Sequence, residues 1–177
     1  DAHVGAATGA LPRHHGGGVF YAAYERLVIF GGIDGSAVNN SSSWELRFSG
    51  DGLTAEWLLL PFGPNGRYSF GTAHDVIGQR MIVAYGYYGG PNTWSLSLDE
   101  SPTWQEEFTG QPGGGLDQTT IYDAPRDRMI MFGNHGVPWA LQMASDRWSR
   151  LATTGTPPSP RTRHTSIYHP GRQRMIV

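Results

Sequence analysis

Four times along the chain an Arg is followed by three apolar residues, at Arg26-Leu-Val-Ile29, Arg80-Met-Ile-Val83, Arg128-Met-Ile-Met131 and Arg174-Met-Ile-Val177. The four Arg lie 54, 48 and 46 residues apart. The tryptophans keep the same beat: Trp44, Trp94 and Trp139 form one series and Trp57, Trp104 and Trp148 a second, which uses all six. A period of this length means that one supersecondary unit is repeated, because a unit that cannot bury its apolar face alone is stacked on copies of itself.

Each unit reads as four short strands. The first is Val19-Tyr21, Phe70-His74, Thr119-Tyr122 or Thr165-His169, and the second is the Arg-led run. The third carries Trp in alternation, at Trp44-Leu46, Trp94-Leu98 and Trp139-Met143, and the fourth opens at Trp57, Trp104 or Trp148. Alternation gives one apolar face, whereas the unbroken second run requires burial on both faces. Val19 to Phe30 lacks Gly and Pro and would pass for a buried helix, but Pro125 and Pro170-Gly171 occupy its middle in the later units. Pro and Gly at that place mark a hairpin turn. Trp139-Leu151 is likewise predicted to be strand, turn at Ser145-Asp146, strand.

The residues now on the page resemble kelch repeats of a β-propeller. Pro160-Arg161-Thr-Arg-His164-Thr-Ser-Ile-Tyr168 followed by Arg174-Val177 matches that pattern best, and Pro12-Arg13 with Phe30-Gly31-Gly32 matches it in the first unit. The units are degenerate: Gly16, Phe70 and Gln118 stand where His164 does, and Gly115 replaces the Arg of the third unit. The expected fold is all-β, a partial kelch-type propeller of three four-stranded blades plus the first two strands of a fourth. The blades are predicted at about 12–60, 66–108 and 115–151, with the half blade at 160–177. Propellers close with about 4–8 blades, so a piece of a larger ring is expected, completed by further sequence or by copies of the chain.

Composition narrows the function. Without Cys, disulfide scaffolds, Cys-ligated zinc and Cys nucleophiles are excluded, as is the Cys–Tyr cofactor of the galactose-oxidase branch that the resemblance brings to mind. A net charge of −2 argues against a nucleic-acid surface, and no apolar run approaches the ~18 residues of a membrane span. The chain opens on Asp1 and stops inside a predicted strand, so both ends read as cuts or processing sites. Thirteen Arg with no Lys suggest a GC-rich coding bias. Bacterial proteins with hairpins like residues 122–129 are commonly exported, which points outside the cytoplasm.

Catalytic motifs are scarce. His14-His15 with His3 lacks the spacing of a metal site. Ser97-Leu-Asp-Glu-Ser101-Pro-Thr-Trp104 is close to the Asp box of sialidase-type propellers, but the links Ser49-Trp57 and Ala144-Trp148 are not expected to repeat it. Asp34, Asp51, Asp75, Asp117 and Glu106-Glu107 offer carboxylates without a visible pairing for glycoside hydrolysis. No GxSxG elbow or phosphate loop is present, and no cofactor or metal is expected. The resemblance places binding on loops joining second to third strands and blade to blade, a face carrying Arg13, Arg67, Arg161, Asp34, Asn40, Tyr87, Tyr88, Asn92 and His135. Arg offers a planar fork for carboxylates and Tyr an amphipathic platform. Two readings of the Arg set stand: ligand contact, or braces on backbone carbonyls. Three functions follow: a non-catalytic binding module for a protein or glycan, a self-assembling structural segment, or part of a glycan-active enzyme.

Overall fold

The computed structural model describes residues 9–36, 38–108, 117–145 and 147–177. The first unit holds β1 (Arg13–His14), β2 (Gly17–Tyr21), β3 (Arg26–Phe30), β4 (Ile33–Asp34), β5 (Ser43–Phe48) and β6 (Ala55–Leu60). The second holds β7 (Gly71–Asp75), β8 (Arg80–Ala84), β9 (Thr93–Ser97) and β10 (Trp104–Phe108). The third holds β11 (Thr119–Asp123), β12 (Arg128–Phe132), β13 (Trp139–Gln142) and β14 (Arg147–Arg150), and β15 (Ile167–His169) with β16 (Arg174–Ile176) follows. The sheets run β2-β3-β5-β6, β7-β8-β9-β10 and β11-β12-β13-β14, all antiparallel, with β15-β16 a lone hairpin and β1-β4 a short ribbon. The chain is all-β, a partial propeller of three four-stranded blades and half of a fourth. No helix is long and apolar enough to cross a membrane among the described residues.

In the first hairpin of each blade the register follows the repeat without slippage. Val19 pairs with Val28, Ala73 with Ile82, Ile121 with Ile130 and Ile167 with Ile176, each pair one repeat on from the last. The first hairpins turn through short 3-10 segments, Ala22–Tyr24, Ala124–Arg126 and Pro170–Arg172, each closed by a left-handed residue: Glu25, Asp127 and Gln173. The helical alternative for residues 19–30 is thereby excluded.

The first strands β2, β7, β11 and β15 lie side by side and form the inner wall of the arc. Small residues let them approach. A Cβ on Gly17 would stand 2.5 Å from the Thr72 methyl, and one on Gly71 would collide with that of Thr120. The Thr120 hydroxyl donates across the gap to the Thr72 carbonyl.

Each complete seam between blades holds its own apolar cluster. Val28 and Phe30 of the first blade meet Met81, Val83, Leu96 and Leu98 of the second, while Ile82 and Ala84 of the second meet Met129, Met131 and Leu141 of the third. Full burial of each large aliphatic side chain stabilises by roughly 1.5–3 kcal/mol. The fourth-strand Trp of the second and third blades reaches back to the preceding blade: Trp104 Nε1 donates to Ser43 Oγ at 3.1 Å and Trp148 Nε1 to Thr93 Oγ1 at 3.4 Å. The repeated Arg anchors the hairpin end. Arg26 pairs with Glu45 at 3.0 Å, Arg80 with Asp75 at 2.8 Å and Glu107 at 2.7 Å, and Arg128 with Asp123 at 2.9 Å.

Candidate functional site: the mouth of the axis

At the opposite end of the inner strands, the turn preceding β2, β7, β11 and β15 contains a left-handed residue: His15 (φ 56°), Ser69 (φ 55°), Asp117 (φ 56°) and Arg163 (φ 56°). They are in phase, 54, 48 and 46 residues apart. Their backbones are stitched in sequence: Ser69 N–H donates to His15 O at 2.9 Å, Asp117 N–H to Ser69 O at 3.3 Å, and Arg163 N–H to Asp117 O at 3.1 Å. Four polar side chains are thus held around the mouth of the arc. Ser69 Oγ donates to Asp117 Oδ1 at 2.5 Å, and Arg163 Nε lies 3.7 Å from Asp117 Oδ2. Left-handed non-Gly residues cost about 1–3 kcal/mol each and gather at functional sites. The hairpin residues Glu25, Gln79, Asp127 and Gln173 share the conformation, so strain alone does not mark the mouth.

The aromatic residues beside it do. Tyr68 and Tyr87 stack with centroids 4.8 Å apart and planes 16° from parallel, with Tyr88 6.1 Å and His15 6.3 Å from Tyr68. The backbone fixes the stack, since Tyr87 N–H donates to Tyr68 O at 2.9 Å. Burial raises the Tyr68 phenol pKa, and Tyr88, Tyr87 and Asp117 add to the effect, so this hydroxyl stays a neutral hydrogen-bond donor. Tyr88 is 72% exposed and Tyr87 40%. The arrangement offers an aromatic face, a carboxylate acceptor and a loosely held guanidinium around one rim.

The residues expected from sequence divide. Tyr87 and Tyr88 belong to this rim. Arg67 does not: it is buried at 1% exposure and donates to Tyr85 O at 3.2 Å and Gly89 O at 2.9 Å, and burial lowers its pKa to about 10 despite the nearby Glu106. It is a brace with no surface to present. Arg13 is half-buried and donates to Gly31 O and Ser42 Oγ, both at 3.2 Å; burial lowers its pKa against the pull of Asp34. Among the described residues the Arg161 side chain hydrogen-bonds to Ser159 only, with Nε to Ser159 O at 3.1 Å. Asp34 caps its own loop by accepting from Ser36 N–H at 2.9 Å, and Asn40 accepts from Ser42 N–H at 2.7 Å. Asn92 donates to Glu106, and His135 is exposed in the loop before β13.

Other expectations also meet the structure. The Ser97 link closes by Ser97 N–H to Thr103 O, Thr103 N–H to Ser97 Oγ, and Ser101 N–H to Asp99 Oδ1, at 3.0, 3.0 and 2.9 Å. The Ser49 link lacks the sequence motif yet closes by the same scheme: Ser49 N–H to Thr54 O, Thr54 N–H to Ser49 Oγ and Leu53 N–H to Asp51 Oδ1, at 2.9, 3.1 and 3.0 Å. Ser and Thr at the two ends with Asp between them suffice, so this is turn chemistry common to two blades. Among the described residues no group of three or more His, Asp and Glu could hold a metal ion; His3 and Gly115 lie outside them. No family model matches the chain, and no curated protein matches it.

Proposed function

We propose that the chain is a non-catalytic binding module of the kelch-type propeller class that receives a protein or glycan partner at the mouth of its axis. The observation that carries the reading is the Tyr68–Tyr87 stack beside Asp117, Ser69 and Arg163. A tyrosine face covers the apolar side of a sugar ring or a peptide side chain, and the polar rim then selects by hydrogen bonds. General acid–base hydrolysis of a glycosidic bond needs two carboxylates across the bond, and Asp117 is the one carboxylate in the rim as described. The exported setting that the resemblance implies suits such a module.

The test is capture of oligosaccharides from a printed array and of peptides from a display library. One of the two classes should be retained, with retention falling at least tenfold in Tyr68→Ala and in Asp117→Asn. Undiminished retention in both variants would refute a ligand at the mouth. A second reading, self-assembly through the ends of the arc, is favoured by a separate observation: Phe20, Leu59, Ile167 and Ile176 are 47–62% exposed on its terminal blades.

A further inference from the structure

Among the described residues, two left-handed non-Gly residues belong to neither repeating series: Tyr85 (φ 66°) and Tyr88 (φ 61°). Both lie in the loop between β8 and β9, where Gly86 (φ 109°) and Gly90 (φ 73°) are left-handed as well. Tyr85 follows Arg80 as Gly31 follows Arg26, and it adopts the conformation of Gly31 (φ 64°). A bulky side chain at positive φ is strained where glycine is not. The fold does not demand this strain, since the first blade leaves its second strand through Gly31-Gly32.

The loop is nevertheless held firmly. Arg67 clamps both of its ends, through Nη1 to Tyr85 O at 3.2 Å and Nη2 to Gly89 O at 2.9 Å. Tyr87 N–H is fixed on Tyr68 O, and a Cβ on Gly86 would stand 2.9 Å from that of Phe70. What the clamp presents is aromatic: exposed Tyr88, and Tyr87 stacked on Tyr68. Strain maintained in a rigid, exposed loop points to function. At the β9 end, Asn92 Nδ2 donates to Glu106 Oε1, and among the described residues Asn92 Oδ1 and Glu106 Oε2 accept no hydrogen bond. Glu106 pairs across the strands with Trp94, a place that the other blades fill with Leu59 and Arg150, so the repeat does not require an acid there. Its charge reaches Arg67 and opposes the effect of burial on that guanidinium, which places it close to the clamped loop.

We propose that this loop is a preformed platform for an uncharged oligosaccharide: the C–H face of one pyranose ring covers Tyr88 and Tyr87, and hydroxyls of the chain donate to Asn92 Oδ1 and Glu106 Oε2. The inference rests on the binding reading above and narrows its ligand to one class. A platform already ordered by Arg67 loses little freedom when a rigid ring lands on it, and tyrosine joins an apolar face to a polar tip. A carboxylated sugar would bring its charge towards Glu106 and Asp117, and like charges so placed disfavour it.

The full chain is applied to a printed array carrying neutral oligosaccharides and others that bear uronic or sialic acids, beside the peptide display library. Neutral oligosaccharides should be retained and the acidic ones should not. Tyr88→Gly should lower retention at least tenfold while melting no lower than the parent, because glycine takes this φ without strain. Tyr88→Phe, which keeps the ring, should stay within a few-fold of the parent, and Glu106→Ala should lose several-fold. Neutral oligosaccharides held equally by the parent and Tyr88→Gly, acidic ones held in preference, or a Tyr88→Gly chain that melts well below the parent would overturn the proposal. Retention of peptides alone, lost in Asp117→Asn, would overturn it too while leaving a binding module at the mouth in place. Retention of neither class would overturn both.

Discussion

Arg67 carries a positive charge in a place with almost no solvent, held by main-chain carbonyls of Tyr85 and Gly89 and packed so closely that a Cβ on Gly89 would stand 2.5 Å from its guanidinium. Two part-buried acceptors left unpaired cost up to about 1–3 kcal/mol each. Arg67→Ala should therefore lower stability by roughly 3 kcal/mol or more in denaturant titration, and Arg67→Lys should recover only part of it, because the planar fork reaches two carbonyls at once. Two histidines give a residue-scale pH dependence. Burial lowers the pKa of His74, with Asp75 opposing, and burial with the charge of Arg161 lowers that of His164. Both are neutral in the fold, with His74 Nε2 and His164 Nδ1 buried and unpaired. The unfolded chain takes up protons from about pH 6.5 downward. Stability should thus be level above that value and decline below it, and His74→Phe should flatten the decline seen in melts between pH 7 and 5. Asp75 and Asp123 act in a lower window. Burial opposes their ionisation, but hydrogen bonds from Gly78 N–H and Arg80, and from Arg128, Tyr168 and Arg126, outweigh it and hold both pKa values down. Their contribution is complete above about pH 4 and is lost as pH falls through the depressed values.

At the scale of elements, the inner strands are the least forgiving. Gly71→Ala inserts a methyl where Thr120 already stands and should cost about 1–3 kcal/mol by overpacking, while Gly35→Ala, which meets nothing within 4 Å, should melt like the parent. Most of this level was legible in the sequence. Pro125 and Pro170 betrayed the hairpins because proline removes a helix donor at a fixed place, and the Trp series betrayed the outer strands because an indole must be housed between blades. The mouth was not legible for the converse reason. His15, Ser69, Asp117 and Arg163 share a backbone conformation and no side-chain type, so only counting in phase from the Arg-led runs finds them. The Arg set was legible only as two alternatives, ligand contact or brace, and the side-chain type does not choose between them; Arg13 and Arg67 donate to carbonyls just past their blades' second strands.

The molecule as a whole is an arc with two unlike ends. One presents Phe20 and Leu59, 53% exposed each, and the other presents Ile167 at 62% and Ile176 at 47%, where their counterparts inside the arc, Ala73, Ile82, Ile121 and Ile130, are at most 8% exposed. Apolar blade faces of this kind offer surfaces for head-to-tail association. Light scattering of the chain should show mass rising with concentration, and Ile167→Asp with Ile176→Asp should suppress the rise; a mass constant at one chain would count against exposed blade faces.

The account depends on blades radiating about a common axis, so that residues 48 apart in sequence touch at its mouth. The chain contains no Cys, so Ser69→Cys with Asp117→Cys introduces the only thiols, placed where Ser69 Oγ now lies 2.5 Å from Asp117 Oδ1. Mild oxidation at low protein concentration should close one disulfide within a single chain, seen by intact mass and by a mobility shift on non-reducing gels, with the β-sheet circular dichroism unchanged. Thiols that stay free, or that join only between chains, would show that successive repeats do not meet at the axis.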